Sequence, residues 1–227
     1  LDWQQMLGML AVASLLVGNL AAIAQTNLKR MLAFSTIAQM GFVLLGMVAG
    51  VNDGTGSNAV NAYSATMFYM VTYVLTTLAT FGVILLLNKA DFEVEKLTDL
   101  AGLNQRSPMM AGVLAASMFS LAGVPPLVGF YAKLSVLQAL LESNESFYIY
   151  MGVFAVMMSL VGAFYYLRIV KLMYFDPPSA AHAAQSIDAP ADAKFVLGLN
   201  GLSMLVFGLL PGGLIFLGAQ ALTGLLV

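Results

Sequence analysis

Long uninterrupted stretches of apolar residues alternate with short polar segments along the chain. Most stretches reach about 20 residues, the length that a helix needs to cross a hydrocarbon core roughly 30 Å thick. They lack the alternation of polar and apolar residues that strands of a membrane barrel require. The pattern predicts an all-α integral membrane protein, a bundle of about six transmembrane helices. The predicted spans lie at about 5–25, 31–51, 64–88, 107–141, 147–175 and 195–210.

The segments between these spans are polar or too short to cross a bilayer. We expect a Gly/Asn/Ser-rich loop at 52–62 and an Ala/Pro/Asp-rich loop at 176–194. The tail, 214–227, is apolar but shorter than a full span, so we expect it to pack back at the membrane interface. The chain forms a single transmembrane domain in this interpretation.

The composition excludes an ordinary soluble protein. Only 9% of the 227 residues are charged and the mean hydropathy is +0.89, whereas soluble domains carry about 25% charged residues. A net charge of −2 gives no sign of a nucleic-acid partner. The absence of cysteine excludes cysteine-ligated clusters, and the one histidine, His182, cannot build a three-histidine metal site. We therefore expect no metal, cofactor or redox centre in this chain.

The basic residues predict the orientation of the spans. An alternating six-span arrangement places eight of the nine Lys and Arg residues on one side and none in the loops of the other side. Basic loops face the cytoplasm, so both ends of the chain are expected outside. The eight residues are Lys29, Arg30, Lys89, Lys96, Arg106, Arg168, Lys171 and Lys194.

The fourth apolar stretch is too long for one spanning helix, because 107–141 would measure roughly 50 Å at 1.5 Å per residue. It contains two prolines, which remove amide donors and clash with the preceding turn, and two glycines, which permit non-helical dihedrals. We predict half-helices at about 109–122 and 130–141 around a break. Freed carbonyls at membrane depth need protein or a water-filled cavity beside them, so the break indicates a polar interior. The four residues are Gly123, Pro125, Pro126 and Gly129.

Lys133 is the ninth basic residue and lies inside this apolar stretch. Burial strips hydration from an ammonium group, and a lysine in such a place can take up and release a proton. The alternative is a lysine that snorkels to the headgroups. It would then reach the side from which the other basic residues are excluded. Lys133 is therefore the candidate functional residue, as ionisable residues inside membranes generally are.

Three segments carry a resemblance to a known family. They are QTNLKRMLAFSTIAQMGFVLLGMVAG (25–50), SLAGVPPLVGFYAKLSVLQAL (120–140) and FYYLRIVKLMYF (164–175). With them the chain resembles the antiporter-like membrane subunits of bacterial NADH–quinone oxidoreductase, respiratory complex I, and most closely the N-type members. Such members have about twice this length and two inverted repeats, each a proton half-channel with a broken helix. The chain resembles the C-terminal half and is expected to be a fragment.

The resemblance implies a proton-translocating subunit in the bacterial inner membrane, without a redox centre of its own. NADH, flavin, iron–sulfur clusters and quinone are then expected in other subunits of complex I, and these subunits and the lipid bilayer are the expected partners. Lys133 becomes the broken-helix lysine that exchanges protons with the outer face. The family often has histidine where Gln39 stands, and Gln39 can order water but not carry a proton at neutral pH.

Further residues form a candidate proton path, each with an alternative role. Lys29 is either the cytoplasmic end of that path or a topology anchor beside Arg30. A hydroxyl-rich stripe on the third span either holds a water chain or supplies interhelical hydrogen bonds. The stripe comprises Tyr69, Thr72, Tyr73, Thr76, Thr77 and Thr80.

The remaining polar clusters have structural interpretations. Tyr165 and Tyr166, with Arg168, are assigned to the interfacial aromatic belt. An acidic loop at 91–99 is expected to be solvated, and His182 to be incidental.

Three other functions compete with this one. An Mrp-type sodium/proton antiporter subunit can share the broken helix and the lysine, and co-purifying subunits distinguish it from complex I. A structural membrane scaffold would not need Lys133 for turnover. A lysine-linked retinal protein would have seven spans with the lysine in the last, and a borohydride-trappable chromophore.

Overall fold

A computed structural model describes residues 3–50, 56–88, 94–142, 145–178 and 189–226. This part of the chain folds into nine α-helices and a single 3₁₀ turn at Leu97–Leu100. The helices are α1 (Trp3–Ile23), α2 (Leu28–Ala49), α3 (Gly56–Leu87), α4 (Leu103–Arg106), α5 (Pro108–Ala122), α6 (Val128–Glu142), α7 (Ser146–Phe175), α8 (Ala191–Leu209) and α9 (Gly212–Leu226).

The expected all-α membrane architecture with one broken helix is confirmed. Five helices, α1, α2, α3, α7 and α8, are long and apolar enough to cross a membrane. Between α4 and α7 the chain forms two helices of 15 residues each, α5 and α6, where the sequence predicts one interrupted span. Large apolar side chains remain exposed on α1, α3, α7 and α8, as lipid-facing helices require.

Three helices begin three or more residues earlier than expected, and one of them, α8, starts at Ala191, inside the loop expected at 176–194. α2 starts at Leu28 because the side chain of Asn27 accepts a hydrogen bond from the Arg30 amide at 3.0 Å, which is an N-cap. α3 starts at Gly56, inside the stretch 52–62 that was expected to be a loop. The low helix propensity of Gly, Asn and Ser costs little free energy, and the packing of the helix outweighs it.

The tail is a helix that packs on α3. A Cβ atom added to Gly218 of α9 would lie 3.6 Å from the Cβ of Ser64, so the two helices are in van der Waals contact there. The tail therefore packs against a transmembrane helix, and its expected position at the membrane interface stays a prediction.

Close packing of α1 on α2 sets the geometry of the interior. A Cβ atom on Gly18 would lie 2.5 Å from the Ala38 amide nitrogen, and one on Gly41 would lie 2.7 Å from Cγ of Leu15. Small residues of this kind let membrane helices approach each other. The contact turns Asn19 of α1 into the protein interior.

Lys133 is the one charged side chain that is buried among the described residues. The other buried polar side chains are neutral hydroxyls and amides, several of them on α2 and α3. The bundle is thus apolar towards lipid and locally polar inside, around the broken helix.

Candidate functional site

A left-handed glycine ends the first half of the broken helix. Gly123 has φ 86° and donates its amide to the carbonyls of Phe119 and Ser120, both at 3.0 Å. The Val124 amide also donates to Phe119, at 2.9 Å. This is a Schellman motif. It provides partners for the Phe119 and Ser120 carbonyls and leaves those of Leu121 and Ala122 without helical donors.

The two prolines explain why those carbonyls are free. In a continuous helix each carbonyl accepts from the amide four residues later, and the residues four after Leu121 and Ala122 are Pro125 and Pro126. Proline has no amide hydrogen. Each proline therefore removes one particular donor, and the broken helix presents two unpaired carbonyls at the end of α5.

The side chain of Lys133 occupies this gap. Its Nζ donates to the carbonyl oxygens of Leu121 at 2.9 Å and Ala122 at 3.1 Å, and to the Ser159 hydroxyl of α7 at 2.8 Å. Since an ammonium has three hydrogens, all of its donors have partners. Cations are also favoured at the C-terminal end of a helix, here α5, by the helix dipole.

Lys133 does not snorkel. Its side chain is 8% exposed, and Nζ lies 5.3 Å from the centroid of the Phe42 ring, within cation–π range. The described residues that line the cavities around it include no carboxylate. The charge is stabilised by neutral dipoles and an aromatic face rather than by a counter-ion.

Gln39 connects the lysine cradle to two tyrosines. Its Nε2 donates to the Leu121 carbonyl at 3.2 Å, the oxygen that Lys133 also uses, and to the Tyr166 hydroxyl at 2.9 Å. Its Oε1 accepts from the Tyr69 hydroxyl. All three polar positions of the amide are therefore oriented by partners, which fixes its rotamer next to Lys133.

The assignment of Tyr165 and Tyr166 to an interfacial belt is wrong. These side chains are 2% and 1% exposed, and the Tyr165 hydroxyl donates to Oδ1 of Asn19 at 3.0 Å. Both tyrosines lie in the interior because α7 packs this face against α1 and α2. Together with Gln39 they extend a polar network from the lysine cradle to α1.

The hydroxyl stripe of α3 faces the same region. Thr72, Thr76 and Thr80 are buried and donate back to carbonyls of their own helix, so their lone pairs remain available to other groups. Tyr73 reaches α2 by donating to the Thr36 hydroxyl at 2.7 Å. Thr76 lies 3.4 Å from the Ser120 hydroxyl of α5.

Two small cavities flank Gln39 and Lys133. One of about 20 Å³ lies towards α3, between Tyr69, Thr72, Thr76 and Ser120, and one of about 10 Å³ lies towards α7, beside Ser159 and the tyrosine pair. A polar void needs about 10–15 Å³ to hold a water molecule. The first has room for one water between the hydroxyl stripe and the lysine.

Of the predicted path residues, the structure brings most to one place. Gln39, Tyr69, Thr72, Tyr73 and Thr76 line the cavity that also contacts Lys133, whereas Thr77 and Thr80 of the stripe do not. Gly129, predicted as part of the helix break, lines the same cavity. Lys29 lies at the start of α2 and does not line it. Lys89, Asp91, Glu93 and His182 lie outside the described residues.

The site also contains residues that sequence reasoning missed. Ser159 and Asn19 gave no signal, because one serine and one asparagine in an apolar helix are common and nothing local shows which way they face. Leu121 and Ala122 did give one, since counting four residues back from each proline identifies their carbonyls. Within the described residues, no group of three or more His, Asp or Glu side chains is placed to hold a metal.

The fold and the site together define a multi-pass helical membrane protein with an interrupted helix and a lysine buried at the interruption. Residues 1–159 match the family model described as NADH:quinone oxidoreductase/Mrp antiporter, transmembrane. The chain belongs to this family.

Relatives within the family are named for one subunit type. The NADH-quinone oxidoreductase subunit N of Polaromonas naphthalenivorans is 63% identical over 99% of this chain and 45% of its own length. That of Herminiimonas arsenicoxydans is 54% identical over 98% of this chain. The chain thus spans about half the length of the curated relatives it matches.

Solved structures share the fold. A chain of respiratory complex I from Thermus thermophilus with bound aureothin is 31% identical, with a TM-score of 0.77 over 93% of this chain and 44% of its own. A chain of the Mrp complex from Dietzia sp. DQ12-45-1b is 23% identical, with a TM-score of 0.79 over 97% of this chain and 47% of its own. At that identity the second likeness concerns the fold alone.

Proposed function

We propose that this chain forms a proton half-channel of a proton-translocating NADH–quinone oxidoreductase, and that Lys133 is its proton carrier. The observation that carries the proposal is the cradle of Lys133: a buried amine whose three acceptors come from a helix break and a neighbouring helix. Neutral acceptors can hold the lysine in either protonation state, whereas a carboxylate would fix the charge. The energy scale is about 2.3 kcal/mol for each charge moved across 100 mV.

The proton path in this proposal uses water and hydroxyls between α3 and Lys133. Thr72, Thr76 and Tyr69 line the cavity large enough for a water, and Gln39 orients it without carrying the proton. Lys29 would form the cytoplasmic entry. Quinone chemistry elsewhere in the complex would change the charges near the channel and shift Lys133 between its two protonation states.

The partners and surroundings follow from the same proposal. The chain would be a single transmembrane domain equivalent to half of an N-type subunit, in the bacterial inner membrane, with both ends outside. NADH, flavin, iron–sulfur clusters and quinone would bind in other subunits. The names of the relatives favour complex I over an Mrp antiporter. Co-purification with flavin and iron–sulfur subunits, rather than with Mrp membrane subunits alone, tests this choice.

Three lysine variants of the full-length subunit test the role of Lys133. Lys133→Met should abolish the NADH-driven quench of a pH-sensitive dye in membrane vesicles. Lys133→Arg should abolish it too, because a guanidinium keeps its charge but does not release its proton. Lys171→Met is the matched control, since that lysine is 70% exposed on α7, and it should pump normally.

Assembly must be checked for each variant by the amount of intact complex in the membrane. Normal pumping by assembled Lys133→Met would refute the proton carrier and leave a structural scaffold as the role of this chain. Normal pumping by Lys133→Arg would show that a fixed charge suffices and that no proton exchange at this residue is needed.

A further inference from the structure

A third and much larger cavity reaches Lys133 from the outer surface of the described helices. It measures about 330 Å³ and lies between the end of α5, α6 and α7, a size typical of small-molecule sites. Its polar side chains are those of Lys133 and Ser159, and its other lining is apolar. The main apolar contributors are Phe42, Val124, Phe130, Leu134, Leu137 and Val156.

The cavity connects the outer surface of the bundle to the buried amine. On its outer side Leu160 is 70% exposed and Val156 43% exposed, whereas Lys133 on its inner side is 8% exposed. Gly123 keeps the inner end open, because a Cβ atom there would lie 3.1 Å from Cδ and 3.4 Å from Nζ of Lys133. The cavity thus gives a lateral route from the surface of the described bundle to the lysine.

Among the residues that the structure describes, none supplies a counter-ion to the charge at the inner end. The acceptors of Lys133 are two carbonyls and the Ser159 hydroxyl, all neutral, and the described lining contains no carboxylate. Ser159 accepts from Lys133, and its own hydrogen has no acceptor among the described residues. Once protonated, Lys133 therefore presents a cation beside a hydroxyl donor, and together they complement an anionic oxygen.

We propose that this cavity binds a single-chain amphiphile with a carboxylic acid head, that is, a long-chain fatty acid. The chain lies along the apolar wall formed by Leu134, Leu137 and Val156, and the head meets Lys133 and Ser159. A carboxylic acid enters the hydrocarbon in its neutral form. The transfer starts from Lys133 as a neutral amine: the O–H bond of the acid breaks and an N–H bond forms on Nζ, which leaves a carboxylate paired with an ammonium. A phospholipid phosphate stays charged and would have to carry that charge to membrane depth.

Binding needs only the cation and the cavity, so it does not rest on the proposed function. If Lys133 also carries protons, the fatty acid holds it in the protonated state and inhibits pumping. Binding is measured without turnover, so its failure and the failure of the proposed function are separate results.

Photolabelling of the assembled complex tests the site. The complex is placed in phosphatidylcholine nanodiscs with palmitic acid that carries a diazirine in its chain, and labelled peptides are identified by mass spectrometry. We expect labels on α6 and α7 around Leu137 and Val156. Unlabelled palmitate should displace them and palmitic acid methyl ester should not, because the ester has no charge. Lys133→Met should lower the displaceable labelling about tenfold or more, as loss of one partner of a buried charge pair does.

A matched pair of tryptophan variants locates the chain of the ligand. Val156→Trp fills the cavity and should lower the displaceable labelling. Val153→Trp, about one turn earlier on α7 at a residue that is exposed and does not line the cavity, should leave it unchanged. This comparison holds even where Lys133→Met fails to assemble.

Four results would overturn the proposal. Equal displacement by the methyl ester would mean a non-specific acyl groove. Lysine-dependent labelling by a diazirine phospholipid would mean a different headgroup. Labels on the exposed face of α3 without labels on α6 and α7 would mean that a neighbouring subunit covers the cavity. Equal loss in the two tryptophan variants would mean that the labels come from elsewhere on α7.

Discussion

Alanine substitution at two glycines of the broken helix should change stability in opposite directions. Gly129, in the first turn of α6, lies against the end of α5: its amide donates to the Ser120 hydroxyl at 3.1 Å, and an added Cβ would overlap the Ser120 carbonyl oxygen. Gly112, in the middle of α5, has no atom within 4 Å of an added Cβ. The two substitutions are chemically identical and differ in the space available.

The magnitudes follow from packing and helix propensity. Gly112→Ala should raise the free energy of unfolding by about 0.5–1 kcal/mol, because alanine has a higher helix propensity than glycine and meets no clash here. Gly129→Ala has the same gain, but the overlap is with a backbone carbonyl that cannot rotate away, and overpacking costs about 1–3 kcal/mol. We expect a net loss of about 1–2 kcal/mol for Gly129→Ala. Since 1 kcal/mol shifts the Tm of a chain of this size by about 2–4 °C, the two variants should differ by at least about 3 °C.

Thermal unfolding of the purified protein in detergent, followed by far-ultraviolet circular dichroism, measures both variants against the parent. A rise in Tm for Gly112→Ala and a fall for Gly129→Ala are expected. Equal shifts for the two variants, or a more stable Gly129→Ala, would show that α6 does not need the glycine to approach α5. The close approach that places Lys133 beside the free carbonyls would then lack its stated cause.

Two further pairs of variants test the polar network and the start of α2. Gln39→Met should lower the free energy of unfolding by about 1–3 kcal/mol, because it leaves the buried Tyr69 hydroxyl without its acceptor. The double variant with Tyr69→Phe should lose about 1–2 kcal/mol less than the sum of the two single losses. Additive losses in this thermal-unfolding cycle would contradict the contact. Asn27→Ala should lower the free energy of unfolding by about 1 kcal/mol, because it removes the cap on the Arg30 amide. Asn27→Asp keeps a capping oxygen and should retain the parent Tm. An unchanged Tm in Asn27→Ala would show that the cap contributes nothing.

Much of the fold follows from local properties of the chain. The length and apolar character of each stretch predict the spanning helices, because unsatisfied backbone groups are too costly in hydrocarbon for other structures. The break between α5 and α6 is equally local, since Pro125 and Pro126 lack amide hydrogens wherever the surrounding helices lie. The charge of Lys133 within this apolar stretch can also be read directly from the sequence.

The tyrosine pair shows where local reasoning fails. Tyr165 and Tyr166 stand in an aromatic and basic segment whose composition suits an interfacial belt as well as a protein interior. The structure buries them because α7 turns this face towards Asn19 of α1 and Gln39 of α2. The amino-acid composition of a helix does not tell which of its faces is buried, because that depends on how the neighbouring helices pack against it.

The sequence by itself determined the spanning helices, the position of the break and the lysine near it. Each depends on bonds a residue can or cannot make with its own neighbours in the chain. Tertiary structure alone decided that Lys133 contacts Leu121, Ala122 and Ser159, and that a cavity leads to it from the outer surface of the described helices. Such contacts join residues up to 26 positions apart, so they depend on how whole helices pack against one another.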